Sequence, residues 1–126
     1  MHHSRLCEIV IDCHSGDLDA AGAFWSAALG RPVNLEKSGD RKLYRLLEGR
    51  PGELRVEVQK VEHESRVHLD IETDDIAAEV MRLEKLGAKV AQQLARWVVM
   101  QAPTGQRFCV VNAQSTGFPD NANRWD

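Results

Sequence analysis

His68 stands two residues before Asp70 in a stretch of alternating polarity, with Val67, Leu69 and Ile71 between and around them. In a strand that spacing puts imidazole and carboxylate on one side and the apolar side chains on the other. The same alternation puts Val10 and Asp12 on one side of residues 6–13, and Arg55, Glu57 and Gln59 opposite Leu54, Val56 and Val58. Arg107 and Cys109 share a side near the end of the chain. Two carboxylates near an imidazole form an acid–base set, because like charge and desolvation push one carboxyl toward neutrality. A structural reading of the same residues is equally physical: Asp12 and Asp70 accept backbone N–H bonds at strand ends, or pair with Arg55 or Arg107. His68, Glu57 and Asp70 are the candidate catalytic residues. Asp12, Arg55, Gln59 and Cys109 are the candidate ligand-binding residues. A buried imidazole needs partners for its nitrogens, and Glu57, Gln59 and Asp70 are those the alternation offers.

The elements that must position these groups occur twice. Val10, Asp12, Asp17 and Leu18 are echoed 58 residues later by His68, Asp70, Asp75 and Ile76. After the first strand, Asp17 caps a helix whose apolar stripe includes Leu18, Ala21, Trp25, Ala28 and Leu29, closed by Gly30. Three strands are expected next, over 33–36, 42–47 and 53–61. In the second copy Asp75 caps a helix carrying Ile76, Val80, Leu83 and Leu86, closed by Gly87, and strands are expected over 89–93, 96–101 and 107–112. The plan is βαβββ twice, in one domain over 1–126. Module one covers about 6–61, module two about 66–113, and an irregular tail 114–126. Neither half holds enough core alone, so the two are expected to share one sheet system. Val67, Leu69 and Ile71 are expected to pack beneath the helices, which would turn His68 to the opposite side.

The chain has 126 residues, 16 Lys+Arg against 19 Asp+Glu and a net charge of -3, which excludes the basic footprint of a nucleic-acid binder. No apolar run approaches the roughly 20 residues of a membrane span. The N-terminus enters a strand pattern directly, with no secretory signal in view, so a cytoplasmic protein is expected. Cys7 and Cys13 lie six residues apart on one strand, about 20 Å and beyond disulfide reach. They are expected as buried free thiols. Metal-type C-x-x-C spacing is absent.

This double βαβββ plan resembles the vicinal-oxygen-chelate superfamily, the fold of glyoxalase I, extradiol dioxygenases, fosfomycin-resistance enzymes and bleomycin-binding proteins. Three stretches carry the likeness: Gly16 to Gly30, including Phe24 and Trp25; Val67 to Ala88, including His68, Asp74, Asp75 and Gly87; and Trp97 to Val110, including Pro103, Gly105 and Cys109. The openings at Val67–Ile71 and the ending at Phe108–Val110 are most similar to the glyoxalase-like domain branch. The resemblance implies an α+β fold in which two βαβββ modules form one curved mixed sheet around a cavity. In metal-dependent members it implies ligands from the first, fourth, fifth and eighth strands. Those positions fall on Val10, on Glu57 or Gln59, on His68 and on Cys109. Val10 offers no ligand atom and Cys109 replaces the usual Glu, so no resident metal is expected; were one present, His68, Glu57 and Cys109 would hold it.

Two functions follow from the resemblance. One is a lyase or isomerase acting on a small oxygenated metabolite with His68 and nearby carboxylates. The alternative is a non-enzymatic, drug-sequestering module like the bleomycin-resistance proteins, needing only a shaped cavity. Either implies a small-molecule ligand and a homodimer, with no nucleic-acid or membrane partner.

Overall fold

The computed structural model describes residues 1–14 and 16–126. In chain order they form β1 (His2–Cys13), α1 (Leu18–Leu29), β2 (Val33–Asn34), β3 (Tyr44–Leu47), β4 (Arg55–Lys60), β5 (Arg66–Thr73), α2 (Ile76–Lys85), β6 (Lys89–Gln93), β7 (Trp97–Gln101), β8 (Arg107–Asn112) and β9 (Asn123–Trp125). The fold is α+β with both parallel and antiparallel pairs, and each half follows the βαβββ plan. The chain divides into two compact units, one of residues 8–68 and the other of residues 1–7 with 69–126.

In the unit of residues 8–68 the strands run β2-β3-β4-β1. The helical crossover α1 and the two hairpins bring β4 back alongside β1 in parallel, with Val10 opposite Glu57 and Asp12 opposite Gln59. The Asp17 carboxylate accepts the Ala20 N–H at 2.7 Å, which starts α1, and Gly30 ends it at φ 67°. Gly22 lets the helix lie close over β3: a Cβ there would stand 3.4 Å from Cγ of Arg45. One side of the sheet meets α1 in a core of Ile11, Leu18, Leu47, Val56 and Val58, with Ile9, Cys13 and Trp25 packed against it. Alternation therefore sends Glu8, Val10 and Asp12 of β1, and Arg55, Glu57 and Gln59 of β4, to the side away from α1.

The other unit repeats the order as β5-β8-β7-β6, with β8 parallel to β5 and Asp70 opposite Cys109. Asp75 caps α2 by accepting the Ala78 N–H at 3.0 Å. Leu83, Ala88, Val98, Met100 and Val110 form its core, with Ile71, Ile76, Val80 and Phe108 against them.

Three sequence expectations change here. The tail is not irregular throughout: Asn123–Trp125 pairs antiparallel with His2–Ser4 of β1, and Trp125 Nε1 donates to Ser4 Oγ at 2.8 Å. Arg82 of α2 stacks 3.9 Å over the Trp125 ring, so the penultimate aromatic anchors onto its own chain. The strand expected at 33–36 shrinks to two residues, because Asn34 turns the chain, accepting the Lys37 N–H at 3.1 Å. On β5 only Ile71 of the three apolar residues joins a core; Val67 is 59% and Leu69 45% exposed, while Asp70 and Glu72 are buried.

Candidate functional site

The side of residues 8–68 turned away from α1 is polar. At one level a row of side chains crosses three strands. The Gln59 amide of β4 donates to the Tyr44 hydroxyl of β3 at 3.1 Å, and Gln59 is the register partner of Asp12 on β1. Asp12 Oδ2 lies 2.7 Å from His68 Nδ1. Asp12 is 2% exposed, and an ionised carboxylate is acceptor-only, so Nδ1–H donates. In a neutral imidazole that arrangement puts the proton on Nδ1 and leaves Nε2 as the nitrogen that can take one. Arg66 Nε stands 4.0 Å from the same oxygen and balances the buried charge from the surface. Asp12 Oδ1 is buried and has no hydrogen-bond partner among the described residues, which leaves an acceptor for a donor group on a ligand or for water.

One level along, Glu57 and Arg55 hold each other: Arg55 Nη2 donates to Glu57 Oε1 at 3.1 Å, and Arg55 Nε lies 4.0 Å from the buried Glu8. Glu57, expected to serve His68, is thus engaged by a guanidinium. The carboxylate against the imidazole is Asp12, expected either with Asp70 in an acid–base set near an imidazole, as a ligand-binding residue, or beside Arg55 or Arg107. Arg107 is exposed and sits opposite Gln101 in the sheet register.

In the second unit Asp70 and Cys109 are neighbours across β5 and β8, with their ligand atoms within 4.8 Å of one another. Asp70 is buried and Cys109 half-buried, and the Cys7 thiol donates to the Asp70 carbonyl at 3.5 Å. His68 precedes Asp70 by two residues on the same strand and shares its side of β5. All three cysteines are free thiols. Burial pushes the Cys13 thiol up, and the neighbouring Asp12 charge adds to that.

Sequence reasoning passed over Tyr44, Glu8 and Arg66. Tyr44 carried one signal, as the single tyrosine of the chain, inside the strand expected over 42–47. Glu8 shared the side of Val10 and Asp12 by alternation alone.

A family model for the glyoxalase-like domain matches residues 8–111. The chain belongs to the glyoxalase-like domain family. Solved structures agree on the fold of this glyoxalase-like protein. A hypothetical protein of Bacillus halodurans is 15% identical, over 90% of this chain and 96% of its own, with a TM-score of 0.62. Methylmalonyl-CoA epimerase from Mycobacterium tuberculosis is 19% identical, covering 87% of this chain and 88% of its own, with a TM-score of 0.61. The Streptomyces coelicolor epimerase, in complex with 2-nitronate-propionyl-CoA, is 19% identical over 88% and 98%, with a TM-score of 0.59. These place the glyoxalase-like chain in the vicinal-oxygen-chelate fold. No curated protein matches its sequence.

Of the four metal positions that the superfamily implies, His68 and Cys109 carry ligating atoms and stand with Asp70 among the residues able to hold an ion, while the other two are compromised. Val10 is apolar and 2% exposed, Glu57 is neutralised by Arg55, and Cys109 brings a soft sulfur where a hard carboxylate oxygen is usual.

Proposed function

We propose that this glyoxalase-like protein binds a small oxygenated metabolite and exchanges a proton with it at His68, in a lyase or isomerase reaction that uses no resident metal. The observation that carries the reading is the 2.7 Å contact between Asp12 and His68. A buried carboxylate on Nδ1–H orients the imidazole, raises the basicity of Nε2 and stabilises the imidazolium formed when Nε2 takes a proton. Such a base acts on a C–H made acidic by an adjacent carbonyl. The neighbouring epimerase structures hold ligands of this kind, methylmalonyl-CoA in one and a nitronate analogue in others. Asp70 and Cys109, neighbours across β5 and β8, are also proposed as ligand contacts. Tyr44, bonded to Gln59, is a proposed hydroxyl for the ligand's oxygen. The protein is also proposed to act as a homodimer. Support comes from the superfamily likeness and from large apolar side chains left open, among them Phe24 at 62% and Leu86 at 66% exposed.

The test is solvent exchange. Methylmalonyl-CoA and a set of 2-substituted acyl thioesters, 2-hydroxy ketones and phenols are incubated with the protein in deuterated water and followed by proton NMR. Protein-dependent loss of one C–H signal, abolished in His68→Gln and Asp12→Asn, supports the reading. Saturable binding of these compounds without exchange would instead favour the non-enzymatic sequestering module.

A further inference from the structure

The unit of residues 8–68 has a concavity of about 180 Å³ beside the turn that joins β3 to β4, and it shares no residue with the Asp12–His68 pair. Known small-molecule sites run to roughly 300–1,000 Å³, so this one is sized for a single charged group. Its charged lining residues are Lys37, Arg50, Arg55, Glu48 and Glu53. The two carboxylates are already engaged. Glu48 Oε1 accepts from the Asn34 side-chain amide at 2.6 Å. Glu53 accepts the Arg50 backbone N–H at 2.6 Å and an Arg31 N–H at 3.3 Å. The Arg50 N–H, ahead of the Arg31 charge, holds the Glu53 carboxyl below its usual range.

The cations are not matched in the same way. Among the described residues the Lys37 ammonium and the Arg50 guanidinium have no side-chain hydrogen bond or ion pair, whereas Arg55 is engaged by Glu57 at 3.1 Å and faces Glu8 at 4.0 Å. Arg31 lies under the turn, 3.0 Å from where a Cβ on Gly49 would stand, with its guanidinium already donating to the Leu54 carbonyl and to Glu53. With both lining acids engaged and the Lys37 ammonium and Arg50 guanidinium open, the pocket attracts an anion, and a guanidinium fork suits oxyanions with two or more oxygens.

We infer that this pocket is an anion-binding site for the phosphate or carboxylate terminus of a small metabolite, held by Lys37 and Arg50. Arg55 and Gln59 are four residues apart on β4, so the pocket lies about 13 Å along the strand from the Asp12 level. The inference stands apart from any role of His68.

Inorganic phosphate and, separately, acetate are titrated into the whole protein at constant ionic strength, with chloride as the reference, and backbone amide shifts are followed by NMR. Saturable millimolar binding that moves the Gly49 and Arg50 amides is expected. The double variant Lys37→Gln/Arg50→Gln should weaken it about tenfold or more, in line with losing charge-assisted hydrogen bonds. Lys89→Gln on β6 and His68→Gln should leave it unchanged. Saturation by phosphate alone assigns a phosphate ester, and saturation by acetate alone a carboxylate. Neither anion saturating beyond chloride would overturn the proposal, as would equal binding by the folded double variant.

Discussion

His68 Nδ1 and Asp12 Oδ2 meet at 2.7 Å although the residues are 56 positions apart in the chain. The contact joins the end of β1 to the start of β5 and sits where the sheet presents polar groups away from α1. Asp12 is 2% exposed, and the groups that face its Oδ2 are this imidazole and, at 4.0 Å, Arg66.

Removing the charge should therefore separate function from fold. Asp12→Asn keeps the shape but replaces the charged acceptor, and it should cut proton exchange by about a hundredfold or more, the usual scale of positioned acid–base catalysis. Its stability cost should be about 1–3 kcal/mol, that of a compromised buried hydrogen bond. His68→Gln should lose exchange equally and lose about 1 kcal/mol of stability or less. Urea unfolding alongside the exchange assay checks both. Equal activity in Asp12→Asn would remove the positioning role.

A second buried carboxylate makes a pH prediction. Glu79 of α2 is fully buried and bonded to Arg82 at 2.7 and 2.9 Å and to His2 at 3.0 Å. Burial alone pushes its carboxyl up, but hydrogen bonds from Arg82, Ser4 and His2 outweigh it and hold the group below the usual range. A carboxyl lowered in the folded state stabilises the fold above its unfolded pKa, about 4.3 for Glu, and that stability is lost as pH falls through the folded value. Thermal midpoints should thus drop on acidification below about pH 4, with a shallower slope in Glu79→Gln. Glu79→Ala should cost roughly 3 kcal/mol at neutral pH, because Arg82 and His2 lose their partner. Parallel slopes for wild type and Glu79→Gln would contradict the assignment.

The metal positions make a third prediction. With Val10 apolar and Glu57 held by Arg55, purified protein dialysed against chelator should carry well under one equivalent of zinc, nickel or iron by elemental analysis. Glu57→Gln should leave that content unchanged. A stoichiometric metal lost in His68→Ala would reverse the reading and make His68 a ligand whose second nitrogen Asp12 orients.

The proposed dimer predicts a mass about twice 14.1 kDa by light scattering at micromolar protein. A mass at the monomer value across that range would count against it.

Local signals in the sequence carried most of the fold. Asp17 and Asp75 cap the helices they were expected to cap, and Gly30 and Gly87 follow them at positive φ, because capping depends on neighbours within four residues. Non-local pairing was not legible in the same way. Asn123, Arg124 and Trp125 have no alternation of their own and become a strand only because His2 to Ser4 offers an edge. Alternation on β5 separated Val67 and Leu69 from His68 and Asp70 correctly, yet it carries no information about which side other elements cover.

The site was legible to the same degree. The 58-residue echo set Asp12 and Asp70 as equivalents, and His68 was singled out from its own strand. Which carboxylate meets the imidazole depends on strand register, since Asp12 lies opposite Gln59 while Glu57, two residues earlier, lies opposite Val10. A shift of two residues would exchange the partners without altering the hydrophobic pattern. Arg55 settles the matter chemically by occupying Glu57.

The most direct test of the central claim is the tautomer of His68, read by long-range proton–nitrogen NMR of the imidazole rings with His68→Gln used for assignment. With Asp12 accepting from Nδ1, neutral His68 should show a protonated Nδ1 and an unprotonated Nε2, and Asp12→Asn should shift that population toward the Nε2–H form. A wild-type ring protonated on Nε2, or one unaffected by Asp12→Asn, would contradict the account.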